Sequence, residues 1–437
     1  MATGPLALTS SRGGPDAFKV HLEEALGIEG NKLPARLQQL AQHGAEYAAA
    51  ARENSKGALP QLQTQTAEQQ QQQQPVAAMA DPNAPPASAA PASTSKPSGP
   101  SNAQPARQAA VIGAFKHAYS AYERTCMGQD EYHPLSHRCS NWIGSGLTII
   151  DSLSTMMLMG PPLAGEVARA REWVATSLSF TRQPQLISFF ETTIRVLGGL
   201  ISAYDLSGGQ GENAVYLAKA KELGDRLMPA FNTPSGLPHS QVNLATGAVG
   251  DYGWTGGASL LAEVGTCQME FAALSKRTGD NRYAAAAQKP IDLLDRLSPP
   301  DGLYPIYLAA SQGTFANSKI TLGAMGDSFY EYLLKMWLLT GLKDAQLQRM
   351  YLTSVDGVLS KLLQQTDAAH GSYAFLADMS NGRIERKMDH LVGRTKPHTA
   401  AHSARPPADS HCAAIHAVFS FSPPLFFVLL CFNFFAL

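Results

Sequence analysis

From Gln108 to about residue 366, apolar residues recur at spacings of three and four through one segment after another. This pattern predicts helices over 109–126, 145–159, 163–178, 186–206, 212–229, 257–277, 281–297, 327–340 and 344–366. Turn formers separate them: Ser207-Gly208-Gly209, Thr233-Pro234-Ser235-Gly236 and Pro299-Pro300-Asp301-Gly302. Strand signals are short and isolated, as at Leu303 to Tyr307. Successive helical hairpins without a strict repeat point to an all-α fold closed into an α/α ring rather than a solenoid.

The flanks have a different texture. Residues 1–54 carry a weak helical pattern around Phe18 to Leu26 and Leu33 to Ala51. Residues 55–108 are a low-complexity Gln/Pro/Ala/Ser linker, including Gln69 to Gln74. Such a segment buries too little apolar area to offset its ordering entropy, so a disordered N-terminal region is expected. From Gly393 periodicity stops, and 393–437 reads as a tail unrelated to the helical array. It ends in a thirteen-residue apolar run, Leu425 to Leu437, preceded by Pro423-Pro424. Spanning a bilayer takes about 20 residues, so this run leaves membrane association open. The N-terminus has no basic-then-apolar leader pattern.

Composition excludes some functions. The 437 residues carry 34 basic and 35 acidic side chains, a net charge of -1, which argues against a nucleic-acid surface. The five cysteines form no CxxC pair and no Cys/His metal spacing. Cys126 and Cys139 are either a short-loop disulfide or two free thiols, which leaves the redox compartment undecided.

Two carboxylates stand inside apolar helical segments. Glu191 lies between Phe189-Phe190 and Ile194, where desolvation is expected to raise its pKa and keep a proton available. Arg195 falls one turn later on the same face, as a sugar contact, an orienting group or an ordinary ion-pair partner. Asp327 follows Leu322-Gly323-Ala324-Met325-Gly326 at a predicted helix start, where the helix dipole is expected to keep it ionised. A plain helix cap, or a capping box of Ser328 with Glu331, competes with a catalytic role there. Glu263 and His390 are further polar residues among apolar neighbours, and a lone one is ordinarily a satisfied core group. Asp130 and Glu131 read as a solvated loop.

Taken in order, these segments resemble glycoside hydrolase family 47, the class I α-1,2-mannosidases. The resemblance rests on Ala114 to Tyr119, Asp130-Glu131, Gly144 to Asp151 and Phe190-Glu191 through Arg195 to Gly198-Gly199-Leu200. It continues through Arg226 to Phe231, Ala262-Glu263, Asp301 to Pro305, Gly326 to Leu334 and Lys387 to Val392. It implies an (α/α)7 barrel that binds Ca2+ and trims α-1,2-linked mannose from high-mannose N-glycans with inversion, in the Golgi or endoplasmic reticulum. It further implies Glu191 as the general acid and Asp327 as another catalytic carboxylate, with Arg195, Glu263 and His390 lining the sugar site. Met325 and Gly265 are similar to the Golgi-type subgroup.

The sequence also departs from that pattern. Ser154 replaces an acidic residue, and Gly393 stands where the family has a cysteine. The resemblance covers 109–392 and then stops, before the family's calcium-binding Thr motif and a further catalytic carboxylate. The expectation is therefore an incomplete (α/α)7 barrel without its metal site, inactive as written. A non-catalytic mannose-binding or quality-control protein of the same fold is the second reading, and an unrelated helical scaffold the third.

Overall fold

The computed structural model describes residues 103–182, 184–367 and 373–392. The weakly helical segment 1–54, nearly all of the 55–108 linker and the 393–437 tail lie outside the described residues. Helix α1 spans Ala103–Cys126, so it begins inside the span read as linker. The hairpin β1 (Glu131–His133) and β2 (Arg138–Ser140) leads to α2 (Leu147–Met159) and α3 (Ala164–Thr176). Strand β3 (Ile187–Ser188) runs into α4 (Phe189–Glu191), a π-helical turn Thr192–Leu197 and α5 (Gly198–Leu206). Next come α6 (Ala214–Leu227), β4 (Gln241–Val242), β5 (Val249–Gly250), β6 (Ala258–Leu260), α7 (Leu261–Val264), α8 (Gln268–Thr278) and α9 (Arg282–Leu297). The remainder is β7 (Tyr307–Ala309), β8 (Thr314–Phe315), α10 (Asp327–Leu339), α11 (Ala345–Gly357), β9 (Leu363–Gln365), β10 (Ala374–Leu376), β11 (Asp378–Ser380) and β12 (Arg383–Glu385).

The helical class expected from the periodicity holds, and short antiparallel ribbons are added to it. β3–β4–β5 and β6–β7–β8 are three-stranded, and β1–β2, β9–β10 and β11–β12 are pairs. Three expected helices are cut by these ribbons, and 186–206 opens with the strand Ile187–Ser188 paired with β4. The span 257–277 divides because β7 recruits Ala258–Leu260 as a strand, after which α7 is a single turn. The span 344–366 stops being α-helical at Gly357, passes through a π turn and ends as a strand paired with β10. In all three places cross-strand pairing outweighs local helical periodicity. The expected strand Leu303 to Tyr307 starts only at Tyr307.

Two apolar cores result. One gathers α1 to α6, α8 and the first half of α9 around Ile149, Ile150, Leu153, Leu200, Tyr216 and Phe271. The other gathers α7 and α9 to α11 around Leu261, Leu294, Phe329, Trp337 and Tyr351. α7 contributes Leu261 and Val264 to the second core, and the next residues Cys267, Phe271 and Leu274 enter the first. The break between α7 and α8 is thus the seam between the cores.

The loop before α2 is organised by one carboxylate. Asp130 is fully buried, contrary to the solvated loop expected from sequence. Its oxygens accept backbone N–H bonds from Trp142, Ile143, Gly144, Ser145 and Leu147 at 2.6–3.1 Å. Its own N–H donates to Asn141 at 2.8 Å, and its carbonyl accepts from the Thr148 hydroxyl at 2.7 Å. Beside it, Cys126 and Cys139 form a disulfide that ties the end of α1 to β2.

Asp130→Asn replaces an acceptor-only carboxylate with a group whose NH2 faces backbone donors. It is expected to destabilise the fold by about 3 kcal/mol, the cost of orphaning buried N–H groups that had a charged partner. A lowered urea midpoint at unchanged m-value checks this, and a midpoint matching the parent would refute it.

Candidate functional site

Ser188 sets the position of Glu191. β3 pairs with β4 so that Ser188 lies opposite Gln241, and the Phe189 N–H donates to the Ser240 carbonyl at 2.9 Å. Ser188 then caps α4, its hydroxyl accepting from the Glu191 N–H at 3.1 Å. Phe189 anchors the turn in a T-shaped contact with Phe231 (5.2 Å between ring centroids), which makes a similar contact with Phe271. The buried Thr192 and Thr193 hydroxyls donate back to the Ser188 and Phe189 carbonyls at 2.6 and 2.8 Å. Side-chain bonds of this kind loosen the ordinary helix ladder, and a π turn follows directly.

Arg195 holds Glu191 from that turn. Its Nε donates to the Glu191 carboxylate at 2.6 Å, and its Nη1 donates to Asp151 on α2 at 3.0 Å. α2 reaches this far because α5 approaches it closely at Gly199, where an added Cβ would lie 2.8 Å from the Ile150 side chain. Gly199 is thus the point of close approach between the two helices. Side-chain exposure of Glu191, Arg195 and Asp151 is 30, 41 and 40%. The dry, apolar setting expected for Glu191 is not what forms, because Arg195 and solvent reach the carboxylate. Burial raises the pKa of Asp151, with Arg195 working against it.

Glu263 is the centre of a second group. Burial pushes its pKa up to about 7, while the nearby Ser240 and Tyr252 hydroxyls oppose the rise and the charges of Glu191 and Asp251 add to it. The Tyr252 hydroxyl lies near both Ser188 and Glu263, close enough for each to act on its proton affinity. Asp251 fixes the approach, accepting from the Ser240 N–H at 3.0 Å and meeting His239 Nδ1 at 2.9 Å.

Asp327 begins α10 and does not form the cap expected of it. Gly326 occupies the N-cap position, and no side chain caps it. The Ser328 hydroxyl accepts from Thr266 at 2.8 Å and Glu331 pairs with Lys335, so the capping box does not form. The preceding loop is held by Met325, whose φ of 75° is left-handed and whose carbonyl accepts from the Ala262 N–H at 2.9 Å. Burial raises the Asp327 pKa to about 6, past the opposing Ser328 N–H and helped by Glu331 and Asp389. Desolvation thus outweighs the helix dipole that was expected to keep this group ionised at low pH.

His390 stands apart from these groups. Its ring is 86% exposed, with Nδ1 3.6 Å from Asp389. Asp389 packs against Gly323, where an added Cβ would fall 2.2 Å from the Asp389 Cβ. The segment therefore borders the Asp327 loop through Asp389, and His390 reaches outward.

α7 packs against both α4 and α10, so Glu263 lies on the element between those bearing Glu191 and Asp327. Sequence reasoning passed over Asp151, Tyr252 and Glu270. Glu270 accepts from the Tyr332 hydroxyl at 2.8 Å, and burial pushes its pKa up to about 7. Its signal was present, a carboxylate seven residues after Glu263 within an apolar stripe. Nothing local marks Tyr252. Among the described residues no group of three or more His, Cys, Asp or Glu is placed to hold a metal ion. The seam instead offers acids that exchange protons near neutrality beside arginine and hydroxyl donors. That combination can grip a polyhydroxylated neutral ligand and move protons on it.

The profile of glycosyl hydrolase family 47 matches residues 114–397. Over 288 residues the chain is 42% identical to the endoplasmic reticulum mannosyl-oligosaccharide 1,2-alpha-mannosidase of Rattus norvegicus, covering 65% of this chain and 42% of that protein. It is 43% identical over 291 residues to the mannosyl-oligosaccharide 1,2-alpha-mannosidase MNS1 of Arabidopsis thaliana, covering 50% of it. The chain therefore spans half or less of the length of these two relatives. The solved alpha-1,2-mannosidase from Trichoderma reesei superposes with a TM-score of 0.59 at 32% identity, over 64% of this chain and 60% of that one.

Glu263 and Asp327 hold their protons more tightly in the fold than in the unfolded chain. The stability they contribute is full below about pH 4 and is lost as pH rises through about 6 and then about 7. Glu263→Gln is expected to exceed the parent in stability by about 1–2 kcal/mol at about pH 8 and to match it at about pH 4. Urea unfolding at both pH values tests this, and a pH-independent difference would refute it.

Proposed function

The chain belongs to glycosyl hydrolase family 47, and from that premise, in place of the inactivity expected of an incomplete barrel, we propose that it hydrolyses α-1,2-linked mannose of high-mannose N-glycans with inversion. The observation that carries this reading is the clamp on Glu191. A carboxyl gripped by Arg195, itself anchored on Asp151, has a fixed direction while still meeting solvent. That suits an acid that must deliver a proton to a glycosidic oxygen, directly or through one water.

In this reading Glu191 protonates the leaving sugar oxygen as the C1–O bond breaks. A water adds its oxygen to C1 from the opposite face and gives up a proton to a carboxylate. Asp327, ionised above about pH 6, is a carboxylate suited to stabilising the positive charge that develops or to taking that proton. Arg195 and Glu263 bind sugar hydroxyls, the Tyr252 hydroxyl positions Glu263, and His390 contacts the glycan at the rim. The family is consistent with calcium dependence; among the described residues no group of three or more His, Cys, Asp or Glu is placed to hold a metal ion, and none of these steps uses one.

Residues 109–392 are read as the part of the catalytic domain that carries the acid. The Cys126–Cys139 disulfide supports an oxidising compartment, here the lumen of the endoplasmic reticulum or Golgi. Among the described residues no helix is long and apolar enough to cross a membrane.

The test is mannose release from an α-1,2-linked mannobiose by the purified chain with calcium, followed by NMR to identify the first anomer formed. The expected product is β-mannose, and Glu191→Gln should cut kcat by about 10³-fold. Release that survives this substitution would overturn the assignment of Glu191. Binding without release in the parent would favour the non-catalytic reading.

A further inference from the structure

Of the four tryptophans, Trp337 is fully buried, Trp142 and Trp173 are partly covered, and Trp254 is 64% exposed. Scattered exposed apolar side chains are normal and carry no message alone. Trp254 differs in three ways. Its ring stacks on Tyr252, with centroids 5.6 Å apart and planes 21° apart. The hydroxyl at the far end of Tyr252 lies near Glu263 and Ser188, so the stack lies one aromatic ring away from the carboxylate group of the site. The turn carrying Trp254 is also fixed: the Tyr252 carbonyl accepts from the Thr255 hydroxyl, the Thr255 N–H and the Gly257 N–H at 2.9, 3.3 and 3.4 Å.

The surroundings are open. A Cβ added at Gly253, Gly256 or Gly257 would meet nothing within 4 Å, so the backbone on either side of Trp254 is uncovered. The turn runs directly into β6 and α7, the elements that carry Glu263. A rigid aromatic surface held in water gains nothing for the fold by its exposure. It does match the C–H-rich face of a pyranose, which stacks on an indole while its hydroxyls stay hydrated at the rim.

We infer that Trp254, backed by Tyr252, is a platform on which a mannose residue of the leaving oligosaccharide stacks, making it a specificity-determining residue for extended glycans. The inference rests on the glycosidase reading for which sugar stacks there. Because Glu191 acts on the leaving-group oxygen, groups flanking it meet the leaving sugar.

The test uses the full chain and an α-1,2-linked high-mannose oligosaccharide. Calorimetry gives Kd, and tryptophan fluorescence follows the exposed indole. Trp254→Ala is expected to weaken binding about tenfold or more and to abolish the fluorescence change, since one well-formed aromatic contact is worth about that factor. Trp254→Phe should restore Kd to within about threefold, because the stacking face is kept. Leu135→Ala, at a fully exposed residue in the β1–β2 turn, is the control and should bind as the parent does. Thermal melts confirm that each variant is folded. Parent-like affinity in Trp254→Ala overturns the platform, as does a parent chain that binds no oligosaccharide. Trp254-dependent binding without mannose release leaves the platform standing and removes the hydrolase reading. Mannose release with kcat/KM on the oligosaccharide unchanged in Trp254→Ala does the reverse.

Discussion

The carboxylate of Asp130 is the point from which the site is built. Five backbone N–H groups of residues 142 to 147 converge on its two oxygens, in a place with no solvent. An isolated buried charge would be costly, and amide donors in that number replace the lost water. The result is a loop with one conformation, which starts α2 and so positions Asp151. Asp151 and Glu191 together hold Arg195 between α2 and the π turn. The direction of the proposed acid therefore traces back to a residue 61 positions earlier in the chain.

The same logic explains why the acids gather where they do. Two apolar cores meet at the break between α7 and α8, and a seam is where polar groups can be half-buried without puncturing either core. Glu263, Glu270 and Asp327 lie on or beside the elements that meet there, and burial lifts the proton affinity of each toward neutrality. The Ser240 and Tyr252 hydroxyls moderate that rise at Glu263, and the Tyr332 hydroxyl does so at Glu270. Local helix geometry matters less: at Asp327 the dipole and one N–H are outweighed by desolvation. The π turn after Glu191 belongs to this economy as well, since it gives Arg195 the register to reach across to α2.

Rigidity also extends outward. The turn bearing Trp254 is pinned by three donors on one carbonyl, although its surface is open. A site with a fixed acid and a fixed aromatic wall loses little conformational entropy when a ligand docks. Polar clamping inside and stacking outside are thus neighbours along the row Glu191, Ser188, Tyr252 and Trp254, its last contact being the ring stack.

Periodicity in the sequence determined the helical class, the positions of most helices and the isolation of Glu191 and Asp327 among apolar neighbours. These are local properties, set by side-chain order along one helix face. The Gly199 contact was legible for a similar reason, because a glycine in an apolar helix announces a close neighbour. Only the tertiary structure decided what depends on partners distant in sequence. It turned parts of 257–277 and 344–366 into strands, buried Asp130, joined Cys126 to Cys139 and brought Asp151 and Tyr252 to the site. It also left Glu191 part-exposed and Asp327 desolvated enough to raise its proton affinity, against the environments their immediate neighbours suggested. The physical reason is that hydration of a group depends on everything packed around it, and most of what packs around these residues comes from elsewhere in the chain.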